Sequence, residues 1–155
     1  AGPAVNLDEK TKVTVMTQTR QYVEDAIVKP LLSGKKQKGL ASLFGPTISA
    51  AALGADRAAL TDEAVGKVKG DVNAPASQVA MTALVGGDGS VPFIATDFNL
   101  NLTSKLGSQP LTIKRHTELT FQKTPSGHWI VTAYRVFAAR TVGSKTTTTT
   151  TGKKP

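Results

Sequence analysis

The chain has 155 residues, a length that suits one domain able to bury a core of its own. It holds no cysteine, so no disulfide staples the fold, and no apolar run is long enough to cross a bilayer. Nineteen Lys and Arg residues against eleven Asp and Glu give a net charge of +8, of which four charges come from Arg140, Lys145, Lys153 and Lys154 at the C-terminal end. The basic residues are not interleaved with aromatics and follow no recognisable reading helix, which argues against specific nucleic-acid binding.

Residues 1–6 read as a linker. Asn6 is a good N-cap, with Glu9 three residues on completing a capping-box pattern, and Asp8 and Glu9 suit the positive end of a helix dipole. Val13, Met16, Val23, Ile27 and Leu31 fall at helical spacing, interrupted by Arg20 and widened by Tyr22 and Ala26. The pattern predicts a helix from Asp8 to Leu32. Pro30 should kink or end it, since proline has no amide donor and crowds the preceding turn, and Ser33-Gly34 is a plausible stop. Lys29, Lys35, Lys36 and Lys38 form the dense basic run of the body, which reads as a solvent-facing loop with room for an anionic surface.

Leu40, Leu43 and Phe44 make one apolar turn, which Gly45-Pro46 breaks. Ile48 and Ala50 to Leu53 carry a further short helix, Asp56 to Leu60 another turn, and Thr61-Asp62-Glu63 leads into the sheet. From Val65 the period changes from helical to alternating. Val65 to Asn73 is read as a first strand and Val79 to Val85 as a second, closed by the turn Gly86-Gly87-Asp88-Gly89. In Phe93 to Thr103, Phe98, Leu100 and Leu102 face inward while Asn99, Asn101 and Thr103 face out. Leu111, Ile113, Arg115, Thr117, Leu119 and Phe121 form the inner face of the next strand. Thr124-Pro125-Ser126-Gly127 turns the chain into Trp129 to Val136. Together these predict an α+β domain over residues 7–142, its N-terminal helices packed on one face of a curved antiparallel sheet of four to five strands. Residues 143–155 have nothing apolar to bury and are expected to be a flexible Thr-rich tail.

Tyr22 to Gly34 (YVEDAIVKPLLSG), Leu60-Thr61-Asp62-Glu63 and, above all, Gly127-His128-Trp129-Ile130-Val131 resemble the NTF2-like (cystatin-like) superfamily over roughly Leu7 to Ala139. Within it, the chain is similar to extracytoplasmic domains of actinobacterial membrane proteins. One such group is associated with Mce lipid-transport systems, and another comprises VirB8-like or TcpC-like subunits of conjugation machines. Both roles implied are noncatalytic. The implied partners are proteins of an envelope or membrane complex, further copies of this chain among them.

Catalytic members of that superfamily work in a cavity between sheet and helices. Tyr22, Asp97, Arg115 and Tyr134 are the candidates to line one here, and Asp97, His116, Glu118, His128 and Tyr134 are the titratable groups that could do acid–base work. The sequence does not make them converge. His116 and Glu118 share a wholly polar strand face, and His128 sits in a turn. Arg115 lies on an apolar face, and Arg135 is in phase with Trp129, Val131 and Phe137. If buried, each needs a carboxylate such as Asp97 or Glu24. The preferred reading is that strand twist brings each guanidinium to the sheet edge, its stem covering apolar surface. Trp129 reads as a core anchor. Two histidines without metal-ligand spacing predict no metal, and nothing predicts a cofactor.

The chain begins at Ala1 without an initiator Met and carries a linker-like start, no cysteine and a Thr-rich end. The expectation is an exported domain, held outside the membrane by a segment absent from this chain. The function expected is assembly through protein–protein contacts. A small-molecule binder or isomerase-like protein using the helix–sheet cavity is the alternative.

Overall fold

The computed structural model describes residues 7–73 and 78–154. It is an α+β fold in which an N-terminal helical layer packs on a five-stranded antiparallel sheet. The first helix, α1 (Glu9–Val23), is capped by Asp8, whose carboxylate accepts from the Thr11 amide at 2.7 Å. Asn6, the expected cap, lies outside the described residues. The buried row of α1 is Val15, Thr19 and Tyr22, continued by Ala26. Val13, placed in the stripe by its spacing, is 59% exposed. Thr19 is compatible with the inner row because its hydroxyl donates to the Val15 carbonyl at 2.8 Å and so brings no unsatisfied donor into the core.

The helix does not stop at Pro30. It widens into a π-helical stretch, Glu24–Val28, and resumes as α2 (Lys29–Ser33), ended by Gly34 in the left-handed conformation at φ 72°. A wider turn ahead of a proline accommodates its ring, and π segments of this kind recur at functional or strained points of helices. A 3₁₀ turn (Lys38–Leu43), α3 (Ser49–Leu53), α4 (Arg57–Leu60) and a 3₁₀ turn at Glu63–Val65 then cross the layer.

Residues 66–73 are not the strand expected there. Gly66 and Gly70 take φ of 94° and 90°, which breaks the extended run, and the backbone ties from the segment to residues 103–105 are one bridge from Asn73 to Thr103 and a bond from the Lys69 amide to the Lys105 carbonyl at 2.8 Å. The sheet is a meander, each strand beside its sequence neighbour: β1 (Ala80–Leu84), β2 (Phe93–Leu106), β3 (Gln109–Lys123), β4 (Trp129–Val142) and β5 (Lys145–Lys153). The inner faces of β2 and β3 are those the alternation predicts: Phe98, Leu100 and Leu102 on one strand, Leu111 through Phe121 on the other. Tyr22 meets Phe98 edge-on at 6.4 Å, joining α1 to the sheet.

Two expectations fail in the C-terminal third. Thr132 is an extra residue in β4, since Thr120 pairs with Ala133 but Phe121 with Val131. This β-bulge shifts the phase. Trp129 and Val131 face the core, and beyond the bulge Tyr134, Val136 and Ala138 do so, leaving Arg135 and Phe137 on the outside. The Thr-rich segment is not a flexible tail over its length. Lys145–Lys153 pairs along β4 from Val142 to Tyr134 as the edge strand β5. Threonine is β-branched and favours extended backbone, and β4 supplies the partner that the segment needs.

Candidate functional site

Among the described residues, the side chains between the helical layer and the sheet are buried and pack together. Arg115, 2% exposed, projects from β3 into the core, so it does not reach the sheet edge. Its partner is neither Asp97 nor Glu24 but Asp62, which sits just after α4. Arg115 Nε and Nη2 donate to the two Asp62 oxygens at 2.9 and 3.1 Å, and Nη1 donates to the Ala59 carbonyl at 2.9 Å. Arg140 of β4 completes the cluster: Nε donates to Asp62 Oδ1 at 2.6 Å, and Nη2 to the Thr61 and Ala58 carbonyls at 2.8 and 3.1 Å. Burial works against the Arg115 charge, but Asp62 outweighs it and holds the pKa above its ordinary value.

Tyr22, 1% exposed, donates its hydroxyl to the Leu60 carbonyl at 2.5 Å. Burial pushes that phenol up to about 12. Tyr134 lies near the β5 end of the same layer, where it donates to Asp56 at 2.6 Å and packs edge-on against Phe44. Burial, then the bond to Asp56, raises its pKa too. Trp129 is buried and belongs to the same core cluster as Leu119 and Phe121, and its carbonyl accepts from Gln18 of α1 at 2.6 Å. Of the four pocket candidates, therefore, Tyr22, Arg115 and Tyr134 are buried on the inner face, Tyr134 toward β5, and Asp97 is on the opposite face of the sheet.

That outer face is where exposed chemistry gathers. Asp97 pairs in register with Glu118, and Glu118 with Arg135. One row along, His116 lies beside Phe137. Asp97 and His116 are bonded at 2.7 Å, Oδ1 to Nε2, with both side chains well exposed. Phe137 is 45% exposed. A groove of about 450 Å³ runs over β3, β4 and β5, bordered by His116, Glu118, Arg135, Phe137, Thr150 and Gly152. Gly152 keeps one end open, since an added Cβ would stand 3.0 Å from Arg135 Cγ. A second groove, of about 500 Å³, follows the outer flank of α1 against β1, with Val13, Met16, Arg20 and Met81 among its lining. His128 is exposed in the β3–β4 turn.

Compared with known protein families, curated proteins and solved structures, the chain matches none.

The basic run behaves as a solvated surface. Lys29 pairs with Asp25 at 3.2 Å, and Lys35, Lys36 and Lys38 are exposed. No group of three or more potential metal ligands converges among the described residues. Sequence reasoning missed Asp62, Asp56 and Arg140, the residues that tie the connecting turns to β3, β4 and β5. The available signal was Arg115 itself: an arginine in phase with Ile113 and Leu119 demands a buried carboxylate, and Asp62 lies in a segment flanked by the apolar Leu60 and Val65.

Proposed function

We propose that this chain is a noncatalytic extracytoplasmic domain of NTF2-like type. It belongs to a membrane-anchored protein and works in an envelope transport, secretion or conjugation assembly through protein–protein contacts. The observation that carries the reading is the packed helix–sheet interior. Tyr22 and Arg115, which would face a substrate in a working cavity, are 1% and 2% exposed and spend their polar atoms on Leu60, Ala59 and Asp62. Asp97, His116 and Glu118 lie instead on the outer sheet face, where the exposed aromatic Phe137 stands among charges of both signs. An exposed aromatic in a polar frame is the usual composition of a protein-binding surface.

Two experiments test it. The chain has no native cysteine, so Ser126→Cys in the exposed turn gives one thiol to report location. Labelling by a membrane-impermeant maleimide in intact cells is expected, and labelling only after lysis removes the extracytoplasmic assignment. A photocrosslinking residue at Phe137 should form adducts with envelope proteins. A 1:1 complex with an apolar small molecule, competing with no protein partner, would replace the assembly reading with ligand binding.

A further inference from the structure

We propose that β5 is a strand-addition site whose partner is an extended protein segment with acidic residues at both ends. The inference rests on the protein–protein reading above and supplies the chemistry of the partner. β5 pairs with β4 along one side, and among the described residues no strand pairs with the other. The strand is anchored: Thr149 Oγ1 accepts from Arg140 Nη1 at 3.3 Å, and Thr151 Oγ1 donates to Asp56 Oδ1 at 2.8 Å. Val142 and Lys145 close the β4–β5 hairpin over two residues and so form a hydrogen-bonded pair. By the antiparallel alternation, Thr147, Thr149 and Thr151 also bond to β4. The amides and carbonyls of Thr146, Thr148, Thr150 and Gly152 therefore point to the open edge. No proline interrupts the strand, and six consecutive threonines favour extended backbone. This is a template for β-augmentation, in which main-chain hydrogen bonds bind and side chains select.

The charges select the partner. Lysines at the two ends, Lys145 and Lys153, with Lys154 just beyond, are the only charged residues of this strand and its exit. A second copy of the chain, added antiparallel about Thr149, would set Lys145 against Lys153 at both ends. Like charges directly opposed disfavour pairing, and lysines are the common guard against it. The net charge of +8 acts in the same direction. A segment with a small, β-branched centre and Asp or Glu at each end meets a lysine at each end whichever way it runs.

The test uses the ¹⁵N-labelled chain and two synthetic peptides sharing a neutral Thr/Val core, one flanked by Glu and the other by Lys. The Glu-flanked peptide should bind saturably, slow amide exchange at Thr146, Thr148 and Thr150, and bind about tenfold or more tightly than its Lys-flanked counterpart at low salt. The double charge reversal Lys145→Glu with Lys153→Glu should invert that preference. Thr148→Pro removes a donor aimed at the open edge but none given to β4, so it should abolish binding while the melting temperature is kept. If that variant unfolds, the exchange pattern of the unsubstituted chain still decides. Equal binding of the two peptides, no protection along β5, or a β5–β5 dimer in sedimentation would overturn the proposal. Photocrosslinkers at Phe137 and Thr148 separate the two readings. Adducts at Phe137 alone leave the assembly role standing and remove strand addition, whereas adducts at neither remove both.

Discussion

Pro30 and Asp62 are joined through a single carbonyl. In an α-helix the oxygen of Ala26 would accept from the amide of residue 30, which proline lacks; here it accepts from the backbone N–H of Asp62 at 2.9 Å. The defect in the helix thus positions the residue whose carboxylate binds Arg115 and Arg140. One proline couples the π-helical stretch, the connecting turns and two strands.

Asp62→Asn should be among the most damaging single changes. It leaves the buried Arg115 guanidinium without its counter-charge, an arrangement that costs about 3–5 kcal/mol. Urea denaturation at neutral pH measures it. A loss below about 1 kcal/mol would mean that the Ala59 carbonyl and entering water suffice for the arginine.

Pro30→Ala should not stabilise the protein, although removing proline from the interior of an isolated helix gains about 3 kcal/mol. The restored amide would compete with Asp62 for the Ala26 carbonyl and narrow a turn that the packing accepts as wide. The unfolding midpoint is expected to stay level or fall. A clear rise, with Asp62 still bonded to Arg115, would show that the two residues are uncoupled.

Trp129→Ala removes a side chain that is 5% exposed in the main core cluster, and a cost of about 3–5 kcal/mol is expected. The reading is tested by thermal and chemical unfolding together. An unchanged melting temperature would show that the core closes without the indole.

Glu63 gives a pH signature. Arg57 grips it with two bonds of 2.7 Å, and these bonds hold its carboxyl below the ordinary value. A depressed folded-state pKa contributes stability above the unfolded value, near 4.5, and that stability is lost as pH falls through the folded value. The parent chain should therefore exceed Glu63→Gln in stability at pH 7, and the gap should shrink progressively as pH falls below 4.5. Urea midpoints across that range decide it, and a gap that widens on acidification would contradict the assignment.

Fold class and the principal buried faces were legible from the residues alone. Alternation is a local property, so Leu111 to Phe121 and Phe98 to Leu102 declared which side of each strand is buried, and Thr124 to Gly127 declared the turn between β3 and β4. Switching from a helical to a two-residue period sufficed for an α+β fold. Every remaining feature depends on a neighbour distant in sequence and so emerged only with packing. The carboxylate for Arg115 comes from a turn 53 residues earlier. The phase of Arg135 depends on a bulge that exists only where β4 pairs with β3. The threonine run carries no apolar pattern to read, and it becomes a strand because the Gly143-Ser144 turn lays it against β4, with Asp56 and Arg140 fixing two of its hydroxyls. Whether Tyr22 and Arg115 line a cavity or fill one is a matter of how closely α1 and the sheet approach, and that distance is a property of the packed core as a whole.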